Sequence, residues 1–205
     1  MKKLFITTAI ASALALTAGT ALAAATVGQP APAFSAVDVH GKTVSLADFK
    51  GKHVVLEWTN PGCPFVVKHY DSGNMQGTQK QATDQGVVWL TINSTAEGSS
   101  DFKKPADLHA WMQKHKAPVT ATLMDVDGKV GRAFGARTTP HMYIINPTGM
   151  LVYAGAIDSI RSANPADIPR ATNHVKAALA ETLAGKPVTV ASTQPYGCSI
   201  KYADG

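Results

Sequence analysis

Cysteine is almost missing from this chain: Cys63 and Cys198 are the only two in 205 residues. So small a supply leaves no room for a cysteine-built metal cluster and confines any thiol chemistry to two sulfurs. Charge is also thin, with Asp, Glu, Lys and Arg making up 16% of the chain, and aromatic residues 7%. The formal charge of +5 owes two units to Lys2 and Lys3. The other basic residues, among them Lys50, Lys52, Lys68, Lys80, Lys103, Lys104, Lys114, Lys116 and Lys129, are scattered and do not interleave with aromatics. That pattern is a solvated surface and carries no nucleic-acid footprint. Seven histidines are present, yet none stands four residues from another histidine or a cysteine, so no metal is expected. No internal repeat is visible.

The one long apolar stretch is at the start. Lys2 and Lys3 form a basic n-region, Leu4 to Leu16 a mostly apolar h-region, and Ala21-Leu22-Ala23 a small-x-small cleavage site. A threonine-interrupted run of that length is short for a spanning helix, and no cysteine is near the cleavage site to carry a lipid. The expectation is a signal peptide over 1–23, cut after about Ala23, with export to the periplasm and no stable membrane insertion. Residues 24–187 are then read as one domain, and 188–205 as an extended tail carrying Cys198. In an oxidising compartment an even pair of cysteines is a disulfide candidate. Closing so long a loop stabilises a fold by about 5 kcal/mol in the chain-entropy model. A purely structural staple therefore stands beside any catalytic reading.

The informative stretch is Leu56 to Tyr70, LEWTNPGCPFVVKHY. A breaker-free apolar run, His53 to Trp58, reads as a buried strand. The turn formers Thr59-Asn60-Pro61-Gly62 follow, then Cys63, then Pro64 opening a helix. Proline suits the first helical position because its missing N–H has no intrahelical partner there. Cys63 thus falls at the N-cap, where free N–H groups and the positive end of the helix dipole favour a thiolate. Thr59 and Asn60 are placed either to hydrogen-bond the sulfur or to cap the turn.

Around this stretch, Phe34–Val39 and Thr43–Ser45 read as a hairpin, with Ser45 capping a short helical turn. A helix from Pro64 breaks at Asp71-Ser72-Gly73-Asn74 and resumes from about Met75 to Thr83. Further strands are read over 87–92, 120–124, 141–145 and 150–154, and helices over 105–115, 129–134 and about Ile168 to Leu183. Strands alternating with helices, ending in a hairpin and a helix, argue an α/β fold with a mixed sheet flanked by helices.

This order of elements resembles the thioredoxin-like superfamily, in its redoxin and peroxiredoxin branch (the alkyl hydroperoxide reductase and thiol-specific antioxidant type). The likeness rests on VGQPAPAFSAVDVHGKTVSLADFKGKHVVLEW as an N-terminal hairpin, on WTNPGCPF at the nucleophilic cysteine, and on Thr138-Thr139-Pro140 before the last hairpin. The closing PYGCSIKY is similar to the tail of peroxiredoxin-like proteins with a late second cysteine. The resemblance implies a cis bond before Pro140, with the backbone of Thr139 free to pair with an incoming extended peptide. It also marks departures. Val66 stands where thioredoxins keep a second cysteine, Thr59 lies four residues before Cys63 where peroxiredoxins keep threonine at three, and Pro140 takes the place of their arginine. Arg137 or Arg161 would have to stand in, and His141 is placed to tune the thiol.

The combined expectation is an exported thiol oxidoreductase of peroxiredoxin-like type. Cys63 is the nucleophile and Cys198 the resolving thiol; Thr59, Asn60, Pro64, Thr139 and Pro140 hold the substrate. The substrate is a peroxide or a protein disulfide, the reductant a protein thiol, and no cofactor is called for. Two alternatives remain: a non-catalytic domain stapled by Cys63–Cys198, and a peptide-binding module built on the Pro140 loop.

Overall fold

The computed structural model describes residues 24–203; the leader expected over 1–23 lies outside the described residues. Strands β1 (Ser35–Asp38) and β2 (Thr43–Ser45) form the expected antiparallel hairpin. Asp38 closes it by accepting the backbone N–H groups of His40 and Lys42 at 2.9 and 2.8 Å. Ser45 then caps a 3₁₀ turn over Leu46–Phe49, and Asp48 reaches back to complete a capping box. Strand β3 (Val54–Trp58) is buried along its whole length, Glu57 included, as befits a central strand of mostly apolar residues.

Helix α1 (Pro64–Asp71) ends where Gly73 turns left-handed at φ 74°, and α2 (Asn74–Thr83) starts immediately after it. Glycine is what permits that conformation without a Cβ clash. Next come β4 (Val88–Asn93), α3 (Pro105–Lys114), β5 (Ala121–Met124), α4 (Lys129–Phe134) and the short β6 (Thr138–Thr139). Strands β7 (His141–Ile145) and β8 (Leu151–Gly155) make the final hairpin.

The long helix expected from Ile168 is shorter than that. Pro165–Arg170 is a 3₁₀ segment with Pro169 inside it, and α5 (His174–Leu183) begins only after Asn173 accepts the N–H of Lys176 at 2.9 Å. Proline withholds a donor that an α-helix through this region needs, and asparagine supplies the cap where the helix does begin. The tail carries β9 (Cys198–Ser199).

Seven strands form one sheet in the order β2-β1-β5-β4-β3-β7-β8. β3, β4 and β5 run parallel, while β7 and β1 are antiparallel to their neighbours. One face carries Val55 and Trp89 against Val66 and Tyr70 of α1, Met75 of α2, Met112 of α3 and Val175 and Leu179 of α5. The other face packs Leu56, Trp58 and Leu90 against Val130 and Phe134 of α4 and the segment around Val27. Cys63 is therefore set at the carboxyl end of a parallel central strand, where α/β sheets place their sites. Among the described residues, no helix is long and apolar enough to cross a membrane.

Candidate active site

Asn60 builds the turn that presents Cys63. Its side-chain oxygen accepts the Gly62 N–H at 2.8 Å, and its backbone carbonyl accepts that of Cys63 at 3.0 Å. Its amide nitrogen donates to Thr95 Oγ1 at 2.9 Å and to the Asp101 carbonyl at 3.2 Å. Asn60 thus braces the turn against the loop after β4, and its polar atoms are committed there. Thr59 is buried beside it with its hydroxyl unpartnered among the described residues. Pro64 opens α1 and faces a shallow groove with Val67 and Lys68, away from the cleft at the sulfur.

Cys63 is the N-cap of α1, as the sequence indicates, but its sulfur takes no hydrogen bond from the first turn. The Cys63 carbonyl accepts the N–H groups of Val66 and Val67, each at 2.9 Å. The positive helix end therefore acts on the sulfur through its field and not by direct contact.

The Thr139–Pro140 bond is cis, and the Thr139 carbonyl oxygen lies 3.1 Å from Cys63 Sγ. Cys63 and Cys198 are joined in a disulfide with their Cα atoms 5.9 Å apart, closing a separation of 135 residues. A disulfide sulfur has no proton to donate, so the carbonyl becomes a hydrogen-bond acceptor only once Cys63 is reduced. It then favours the thiol while the helix end favours the thiolate, two opposing pulls on one sulfur.

The edge that Thr139 was expected to offer to an incoming peptide is taken by the chain itself. β9 pairs antiparallel with β6, Thr139 opposite Cys198 and Thr138 opposite Ser199. The Ile200 N–H continues the ladder to the Arg137 carbonyl at 3.0 Å, and the Lys201 carbonyl accepts the Ala96 N–H at 2.8 Å. With the tail in place, the cleft between Cys63, Asn60, Thr139 and Ile200 holds only ≈ 30 Å³. Among the described residues no arginine lines it, and Arg137 and Arg161 are both exposed.

Tyr196, two residues before Cys198, anchors the tail in a buried polar pocket that the sequence reading missed. Its hydroxyl donates to Asp158 Oδ1 and lies 3.4 Å from His69 Nε2. Lys68 Nζ stands 3.5 Å from Asp158 Oδ2, with both side chains almost wholly buried. The ring of Phe65 meets that of Tyr196 edge-on at 5.8 Å. Asn74 Nδ2 lies 2.8 Å from His69 Nδ1; if the amide donates there, the ring proton sits on Nε2, facing the phenol. Burial foremost, and Lys68 beside it, hold His69 down to about 4 against the pull of Asp158. The imidazole is therefore neutral near pH 7. Tyr196 is pushed far up by burial and by Asp158.

Two further titratable groups lie close in sequence. Glu57, one residue before the end of β3, is sealed off from water, and burial raises it to about 7 despite hydrogen bonds from Trp89, Tyr70 and Gln79. His141 stands opposite Trp58 across the β3–β7 pair. Its Nδ1 faces the Tyr143 hydroxyl at 3.2 Å and accepts the Arg137 N–H at 3.3 Å. Burial, with Arg137 second, lowers His141 to about 3, and it does not line the cleft at the sulfur.

Comparison with known proteins adds four findings. The model of the AhpC/TSA family matches residues 27–154, a span that holds Cys63, Thr139 and Pro140 and stops short of Asp158, Tyr196 and Cys198. The chain is 27% identical over 138 residues to the thiol:disulfide interchange protein DsbE of Pseudomonas fluorescens biotype C, covering 65% of this chain and 70% of that one. A hypothetical protein of Sinorhizobium meliloti 1021 superposes with a TM-score of 0.75 at 25% identity, over 89% of this chain and 98% of that one. The thioredoxin domain of a thiol-disulfide oxidoreductase from Bacteroides vulgatus shares the fold, with a TM-score of 0.50 at 24% identity over 71% and 96% of the two chains. The architecture is thioredoxin-like, as the order of elements suggests.

Proposed function

This chain belongs to the AhpC/TSA family, and from that premise we propose that it is a thiol oxidoreductase exchanging disulfides with protein partners through Cys63 and Cys198. The observation that carries the reading is the bond between these two sulfurs at the start of α1, beside the Thr139–Pro140 loop. The Cys63 thiolate attacks a partner disulfide; one partner sulfur leaves as thiolate and takes up a proton, and the other is held as a mixed disulfide. Cys198 then attacks Cys63, its own proton going to solvent, and the second partner thiolate departs. The chain is left in the oxidised form described above, and a protein dithiol returns it to the reduced one. No step needs a cofactor. Thr139 and Pro140 shape the docking edge, while Thr59, Asn60 and Pro64 serve by holding the turn.

Family membership also favours a second substrate, a peroxide. The narrow cleft suits a molecule of two oxygens while the tail is docked. Cys63 would be oxidised to sulfenic acid, and Cys198 would condense with it to give the same disulfide and water. The missing arginine argues for slow peroxide turnover. Export to an oxidising compartment belongs to the proposal and is supported by the leader pattern of 1–23.

The test is mass spectrometry of each cysteine after reduction and exposure to hydrogen peroxide or to an oxidised protein. Re-formation of the Cys63–Cys198 bond, lost in Cys63→Ser and replaced by a trapped mixed disulfide in Cys198→Ser, supports exchange. A bond that withstands glutathione in the folded chain would leave only a staple.

A further inference from the structure

The oxidised chain holds a peptide of its own against Cys63 in the way a partner must be held. Three features of that peptide are specific. Cys198 pairs with Thr139 across the β6–β9 ladder. Gly197, at φ +137°, passes so near the loop that a Cβ on it would lie 2.0 Å from the Thr139 carbonyl oxygen. No other residue fits that slot unless the loop moves, since backbone cannot yield as a side-chain tip does. Tyr196 fills the pocket between Phe65, His69 and Asp158.

That pocket is chemically demanding. Asp158 is 3% exposed. Its Oδ1 accepts the Ile160 N–H at 3.1 Å as well as the Tyr196 hydroxyl, and among the described residues its Oδ2 has no hydrogen-bond partner, with the Lys68 ammonium 3.5 Å and His69 Nε2 3.8 Å away. A carboxylate buried in this way needs a donor, and leaving it without one is unfavourable. With the tail docked, the cleft beside the sulfur has no room for a peptide. Any protein that forms a bond to Cys63 therefore displaces the tail and meets the surface it vacates.

We propose that this surface is a recognition site for an extended peptide with glycine immediately before the partner cysteine and a phenol one residue earlier. The tail Tyr196-Gly197-Cys198 is the tethered copy of that ligand. This rests on Cys63 being the nucleophile, and adds the sequence class of the partner. Phenylalanine at the first position fills the space beside Phe65 but brings no donor for Asp158. Alanine at the second collides with Thr139.

The test uses the reduced full chain as Cys198→Ser and as Tyr196→Ala/Cys198→Ser. Three tetrapeptides are supplied as disulfides with thionitrobenzoate: Tyr-Gly-Cys-Ser, Phe-Gly-Cys-Ser and Tyr-Ala-Cys-Ser. The Cys63 thiolate attacks the peptide sulfur, and thionitrobenzoate leaves with the electron pair and is read by its colour. Tyr-Gly-Cys-Ser reacts about tenfold faster than Phe-Gly-Cys-Ser, the scale of one lost charge-assisted hydrogen bond, and at least about tenfold faster than Tyr-Ala-Cys-Ser, whose methyl group meets the Thr139 carbonyl. Removing Tyr196 frees the pocket and speeds that peptide further. Should the double variant fold poorly, the rate ratios in Cys198→Ser alone decide. Equal rates for the three peptides overturn the recognition site while Cys63 remains a nucleophile. Release by the urea-unfolded chain but not by the folded one, with any peptide, overturns the underlying reading and this one with it.

Discussion

Trp89, opposite Val55 in the β3–β4 register, reaches diagonally to Glu57, its indole N–H donating to Glu57 Oε2 at 2.8 Å within a layer from which water is excluded. Tyr70 and Gln79 complete the ring of donors at 2.8 and 3.0 Å. Even so, three neutral donors do not replace the hydration of a carboxylate, and burial raises Glu57 from 4.5 to about 7. Because the folded value lies above the unfolded one, folding holds the proton. The contribution to stability is complete below about pH 4.5 and is lost as the pH rises through about 7. Urea denaturation from acid to mildly alkaline pH will show stability falling by roughly 3 kcal/mol. Glu57→Gln, which has no proton to lose, will flatten that part of the profile.

Gly197→Ala places a methyl group against the Thr139 carbonyl. The β6–β9 ladder opens and Cys198 no longer reaches Cys63 with bonding geometry. After reduction and removal of the reductant, alkylation and mass spectrometry will find both thiols free for at least about ten times longer than in the unaltered chain. The rest of the sheet is untouched, so its circular dichroism will not change.

Tyr196→Phe removes the hydroxyl that serves Asp158. A buried carboxylate losing a donor costs about 1–3 kcal/mol, and denaturation of the oxidised chain will show a loss of that size. Hydrogen exchange at Ser199 to Lys201 will quicken in the reduced chain, where docking of the tail is no longer backed by a covalent bond.

Cys198→Ser opens the long loop. The chain-entropy model predicts a loss of about 5 kcal/mol relative to the oxidised chain. Against the reduced chain the same variant will differ by less than about 1 kcal/mol. That comparison separates the cross-link from the contacts of the tail.

Asn60→Ala removes the donors to Thr95 and Asp101 and the acceptor for Gly62. A loss of about 1–3 kcal/mol is expected. With the turn slackened, the reduced Cys63 will show an altered rate of alkylation, a readout that a remote core substitution does not move.

What could be read from the sequence was what local chemistry decides. Pro64 announces the start of α1 and Gly73 its end, and Ser45 caps the turn after β2; the cis bond before Pro140 was legible only through the family resemblance. Long-range encounters could not be read in the same way. Tyr196 meets His69 across 127 residues and Asp158 across 38, and nothing within a few positions of any of them specifies that. The late start of α5 was missed because the apolar period runs on through Ile168, while Pro169 and Asn173 decide where the hydrogen bonds begin. The thiolate argument at Cys63 was incomplete for a related reason: the N-cap position was legible, but the Thr139 carbonyl facing the sulfur belongs to a distant loop.

A ligand carried on the same chain as its pocket is present at an effective concentration on the order of millimolar, however dilute the protein. An outside peptide that merely contains a cysteine competes poorly against it. Cys63 is thus guarded against unspecific peptides by mass action as much as by walls, and answers to proteins whose grip exceeds that of the tail.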